Sequence, residues 1–226
     1  MFKNILTFWK SRGFLDQSIS EFSRMLENSQ EMFRLVCLKL IKNENIENLG
    51  ERIRVLDKEI NELEKSIRKR IVEHLVLRPS EDVSASLMLM SVVKDAERLG
   101  DYCKNLNEVV GFLNKPLDQN KYKELFDGVD TDLIEFFKET KKAFVESDEN
   151  IASATWAHKA KISKRCDEVI KQLVTSHLPA NEAVCFTLIA RHFKRLSSHL
   201  VNIATSVILP IDELDYFDET RKNEKK

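Results

Sequence analysis

Apolar residues recur at helical spacing along almost the whole chain. Leu15, Ile19, Phe22, Met25, Leu26, Met32, Phe33, Val36 and Leu40 predict a first helix over about 14–43, stopping near "KNENIENLG". Ile53, Leu56, Ile60, Leu63, Ile67, Ile71 and Leu75 predict a second over about 45–77, ended by Pro79. Ser80, in "RPSED", is the expected N-cap of a third, whose series Val83, Leu87, Met90, Val93, Leu99 and Leu106 continues to about 113. "LNKPLDQNKY" is the most linker-like segment. Beyond it the pattern predicts a helix beginning near 119 or near 130 and ending at 145, another over about 148–177, and a last one over about 181–208.

The two halves repeat one plan. Setting "VLDKEINELEKSIRKRIVEHLVLRP" beside "AHKAKISKRCDEVIKQLVTSHLP" aligns Ile60 with Ile162 and, with small gaps, Pro79 with Pro179. "ERLGDYCKNL" beside "KRLSSHLVNI" aligns Arg98 with Arg195, Leu99 with Leu196 and Asn105 with Asn202. Units of roughly one hundred residues are duplicated. Three helices can each bury one stripe against the other two, so each unit reads as an up-down-up bundle. The expected fold is all-α, two tandem three-helix bundles over residues 1–115 and 116–226.

Composition agrees with this reading and removes several function classes. The chain has 226 residues, 42% hydrophobic and 32% charged, with only five glycines and four prolines to break helices. A net charge of −1 and a pI near 6.6 supply no general attraction to nucleic acid, and the basic tail "RKNEKK" is short. Cys37, Cys103, Cys166 and Cys185 are far apart without CxxC spacing, which predicts reduced, mostly buried thiols in a cytoplasmic protein. Phosphate-binding glycine loops, HExxH and GxSxG are missing from the sequence. At the N-terminus, "MFKNILTFWKSRGF" mixes Phe2, Ile5, Leu6, Phe8 and Trp9 with Lys3, Lys10 and Arg12. That pattern suits a short amphipathic helix, packed on the protein itself or a second subunit, or meeting a membrane surface, rather than a signal peptide or a spanning helix.

One stretch, "DAERLGDYCKNL", is costly by local rules. Glu97 and Asp101 repel at i, i+4, and Gly100 in mid-helix gives up about 1 kcal/mol relative to alanine. Glu97, Asp101 and Asn105 stack on one face of the third helix, and Asp57 and Asn61 are again four apart on the second. An antiparallel pairing would set these groups opposite each other. Gly100 would then admit another backbone or a bound ion, and a cation among the acids would turn repulsion into attraction. The plainer alternative pairs Glu97 with Lys94 or Arg98 on a solvated face.

"DKEINELE", "RPSEDV" and "ERLGDYCKN" closely resemble the first half of PhoU, the bacterial regulator of phosphate uptake, and the duplicated plan extends that resemblance over nearly the whole chain. In that family an ExxxD motif occurs once per bundle and lines patches that hold multinuclear iron or zinc clusters. The resemblance implies a transition metal ion or cluster on Glu97 and Asp101, with Asp57 contributing from the second helix and Asn61 and Asn105 as subsidiary donors.

The second bundle departs from the motif. Lys194 and Ser198 replace its two acids, and Lys159 stands opposite Asp57 in the alignment. A protonated lysine has no lone pair to offer a metal, so metal is expected on the first bundle only. These lysines could fill the space of a metal, pair with acids of a partner, or be ordinary surface charges. His192 and His199, beside the degenerate motif, are possible replacement ligands or simple surface or core histidines.

The resemblance implies a non-enzymatic, cytoplasmic regulator of phosphate uptake. Its implied partners are a membrane phosphate transporter, a phosphate-sensing histidine kinase, or both, with peripheral membrane association through them and no nucleic acid. Paired bundles with exposed apolar stripes make a homodimer the expected assembly. Alternatives are an accessory protein of a sodium-coupled or Pit-type phosphate carrier, and a metal-storage protein or metal-dependent phosphate-ester hydrolase using the same acids.

Overall fold

A computed structural model describes residues 14–80 and 82–216. Seven helices are found among them: α1 (Phe14–Leu40), α2 (Leu49–Leu77), α3 (Val83–Phe112), α4 (Gln119–Phe126), α5 (Val129–Glu146), α6 (Glu149–Val174) and α7 (Ala180–Thr205). A single 3-10 turn, Ile211–Glu213, follows. The amphipathic N-terminal segment and the basic tail lie outside the described residues. No described helix is long and apolar enough to cross a membrane.

Local chemistry explains the boundaries. Asp118 caps α4 by accepting from the backbone N–H groups of Asn120 and Lys121, and Asp148 caps α6 through Asn150 and Ile151. The two candidate starts in the second half are both used. Asp127 and Gly128 adopt left-handed backbone, φ 47° and 83°, and this reversal separates α4 from α5. The expectation that Ser80 caps α3 is not met. Asp82 is the residue before the first helical turn, in left-handed conformation at φ 52° and without a side-chain cap. Aspartate tolerates this left-handed conformation better than most residues.

Helices α1, α2 and α3 pack on one another, as do α5, α6 and α7, while α4 lies against α6. The two bundles meet through α3 against α7 and α1 against α5. Their buried side chains form one continuous apolar cluster rather than two. Phe33 of α1 shows why, because its ring centroid lies 5.7 Å from Phe137 of α5 and 5.7 Å from Phe193 of α7. Phe22 of α1 likewise meets Phe144 of α5 at 4.4 Å.

The α3–α7 contact is reciprocal in the repeat register. Matching Arg98 to Arg195 also matches Asp95 to His192 and Tyr102 to His199. Tyr102 and His199 stack on each other at 5.5 Å, Asp95 meets His199, and His192 lies 6.0 Å from Tyr102. Reciprocity of this kind is what a two-fold relation between like surfaces requires, so the duplicated halves face each other as two subunits of a symmetric dimer would.

All four cysteines are free and buried, in accord with the sequence reading. Burial raises the thiols of Cys37 and Cys103 and pushes Cys166 up to about 12, so none is poised as a thiolate.

Because Phe33 belongs to the packing of both halves, Phe33→Ala is expected to cost about 3–5 kcal/mol. Urea unfolding should show that loss as a single cooperative transition at lower denaturant. A variant that melts in two steps, one unchanged, would mean the halves are held independently.

Candidate functional site

The acidic face of the first bundle is built where α2 and α3 approach closely, at Gly100. A methyl group added at Gly100 would sit 3.0 Å from Cδ1 of Ile60 and 3.7 Å from Oδ1 of Asp57. The glycine therefore serves helix packing. Its missing side chain lets the α2 ridge carrying Asp57 and Ile60 settle against α3.

This approach brings Asp57 and Asp101 to a common partner. Lys104 Nζ donates to Asp57 Oδ1 at 3.0 Å and to Asp101 Oδ1 at 2.9 Å, bridging the two helices. Arg98 donates to the other oxygen of Asp101 at 3.1 Å, and Asn61 Nδ2 lies 3.5 Å from Asp57 Oδ2. Glu97 is held by different cations. Lys94 Nζ donates to its Oε2 at 2.7 Å, with Arg98 Nε at 3.9 Å, the pairing that the plainer sequence reading described. Asn105 is partly buried one turn beyond Asp101 on α3. Burial by itself would depress the Lys104 ammonium, but its hydrogen bonds to Asp101 and Asp57 outweigh that penalty and hold it above its ordinary value.

The donor set as arranged does not fit a metal. Asp57 and Asp101 converge on an ammonium group, Glu97 turns to Lys94, and no group of three or more His, Cys, Asp and Glu side chains among the described residues is placed to hold an ion. A metal would have to displace Lys104 and draw Glu97 away from its partners.

The equivalent face of the second bundle is closed by an internal ion pair. Lys194, in the Glu97 position, donates to both carboxylate oxygens of Asp167 on α6, each at 2.7 Å. Ser198, in the Asp101 position, turns its hydroxyl back to the Lys194 carbonyl at 3.1 Å. Lys159 lies over the Trp156 ring, 4.4 Å from its centroid. Lys194 thus pairs within its own chain.

His199 and His192 lie on the seam between the bundles. His199 Nδ1–H donates to Asp95 Oδ1 at 2.7 Å, and Asn202 Nδ2 lies 3.3 Å from the same oxygen. Burial raises Asp215, beyond the 3-10 turn, above its ordinary value, and Asp95 adds to that shift while His199 opposes it. His192 is depressed below 6.5 by burial, with Arg191 beside it adding repulsion. Sequence reasoning missed Lys104 as the bridge and Asp95 as the seam acid. Lys104 carried a signal, its position three residues after Asp101; Asp95 needs knowledge of which helix α3 faces.

The fold and this face define a class: duplicated three-helix bundles whose charged motif lies at the α2–α3 approach. The family model of the PhoU domain matches residues 22–110 and 131–207, both bundles in turn. The chain belongs to the PhoU family. It is 31% identical over 178 residues to the phosphate-specific transport system accessory protein PhoU homolog of Deinococcus radiodurans, covering 76% of this chain and 83% of that protein. It is 26% identical over 188 residues to PhoU homolog 1 of Thermotoga maritima, covering 80% and 77%. Among solved structures, it shares its fold with PhoU of Streptococcus pneumoniae, a phosphate transport system regulatory protein, at a TM-score of 0.74 and 17% identity over 85% of this chain and 92% of that one. PhoU of Pseudomonas aeruginosa matches at 0.73 and 18%, over 86% and 95%.

Gly100→Val is expected to destabilise by about 1–3 kcal/mol through overpacking against Ile60. Adding Ile60→Ala should recover part of that loss in thermal melts; independent, additive effects would show that the two positions do not share the contact. A second expectation concerns pH. A histidine with a depressed folded pKa leaves the unfolded chain binding more protons, so stability falls as pH drops from 6.5 through the lower folded value. His192→Gln should flatten that part of the curve when urea midpoints are compared between about pH 7.5 and about pH 5.

Proposed function

We propose that the protein is an accessory regulator of phosphate transport that acts by docking its helical faces onto components of the transport system and carries out no chemical turnover. The observation that carries this reading is the family match over both bundles, residues 22–110 and 131–207, with relatives named as accessory proteins of phosphate-specific transport. The partners this reading implies are a membrane phosphate transporter, its sensor kinase, or both. A homodimer is part of the same proposal. Docking draws on surface shape and charge and needs no metal on Asp57, Glu97 and Asp101.

A second reading is service to a sodium-coupled or Pit-type carrier, with which the replacement of motif acids by Lys194 and Ser198 in the second bundle is compatible. Co-purification with one transporter class decides between the two.

Deletion of the protein from its host, grown in ample phosphate, is expected to raise phosphate uptake, and re-expression should restore the parental rate. Unchanged uptake, with no transporter component captured by the tagged protein, would remove the regulatory reading. Turnover of phosphate esters by zinc- or iron-loaded protein, abolished in Asp101→Ala, would establish the hydrolase alternative instead.

A further inference from the structure

We propose that Lys104 is a built-in cation that closes the α2–α3 acidic face of this protein, so that the first bundle is complete without a metal ion. The argument starts from geometry. Two carboxylates on neighbouring helices point at one place, and what occupies it is the ammonium of the same chain, 3.0 Å from one and 2.9 Å from the other. An isolated pair of like charges at that approach would push α2 and α3 apart. A single positive group between them reverses the sign of the interaction.

Three further features agree. The side chains involved are only partly accessible, 17% for Asp57, 27% for Asp101 and 36% for Lys104, so water screens them less than a free surface pair. Gly100 sets the distance, because the close seating of Asp57 against α3 brings both carboxylates within reach of one lysine. The second bundle reaches the same end with other residues, since Lys194 from α7 grips both oxygens of Asp167 on α6. Each bundle therefore joins its second and third helices with a lysine of its third.

A tethered cation also competes. A metal can bind Asp57 and Asp101 only in the fraction of molecules in which Lys104 has swung away, and its apparent affinity falls by that fraction. Removing the ammonium should thus reveal an affinity that the native protein lacks. Lys104→Met keeps the length and apolar stem of the side chain while deleting the charge.

The test is a Zn2+ titration of the full-length wild type, Lys104→Met, and Lys104→Met/Asp101→Asn, followed by calorimetry. Elemental analysis of each protein, purified without chelator from metal-supplemented culture, accompanies it. Wild type should be metal-free, Lys104→Met should bind at least about tenfold more tightly than wild type, and the added Asp101→Asn should abolish the gain. Lys104→Arg, which keeps the positive charge, should behave as wild type, and circular dichroism checks that each variant is folded. Stoichiometric metal in the wild type that is lost in Asp101→Asn would overturn the proposal, because Lys104 would not then hold the position. So would failure of Lys104→Met to bind, since the acids would form no cation position for the lysine to fill. These outcomes are independent of whether the protein controls phosphate transport.

Discussion

The rest of the structure depends on how α3 packs against α7. These are the two motif helices, and each is buried on one side by its own bundle and on the other by its counterpart. With Tyr102 stacked on His199, the seam leaves little room for an unpaired polar group. Asp95 is nevertheless there, 9% exposed, and it is tolerated because His199 and Asn202 both reach it. Truncating one member of such a set would leave the others buried without partners, so the polar contact specifies which surfaces meet while the apolar contact supplies most of the driving force.

This arrangement explains why the motif faces lie where they do. A helix of α3's length presents several stripes. One is taken by α1, one by α2 and one by α7. The charged face with Glu97 and Asp101 is left at the rim of the α2–α3 groove, partly screened and within reach of lysines from its own turns. Family membership and the ion-paired state of this face are compatible, because the family model matches both halves although this chain departs from the acidic motif in the second. Lys194 with Asp167 shows that an acid can be exchanged for a lysine at that position while the helix pair stays bridged by charge.

The helical spacing of apolar residues and the duplication were legible in the sequence, because each follows from local periodicity that any packing of these helices must respect. The linker was legible only in part, since the last four residues of "LNKPLDQNKY" form the first turn of α4 behind the Asp118 cap. The resemblance carried by "ERLGDYCKN" likewise led to the correct family, since it lies in contiguous residues. Helix ends were less legible. Ser80 looked like a cap, but the helix starts after a left-handed Asp82, a backbone conformation that residue preference alone does not reveal. Gly100 was legible as a place of close approach, and what approaches, Ile60 with Asp57 beside it, was not.

By itself, then, the sequence determined the number of long helices, their amphipathic faces, the repeat and the family, all of which rest on short-range spacing. Tertiary structure decided which charges meet. Asp57 and Lys104 are joined only when α2 settles on α3, and Asp95 and His199 only when one bundle settles on the other. The physical reason is that an ion pair needs its partners within about 4 Å. Separation in sequence says nothing about that distance until packing has chosen the neighbouring helix.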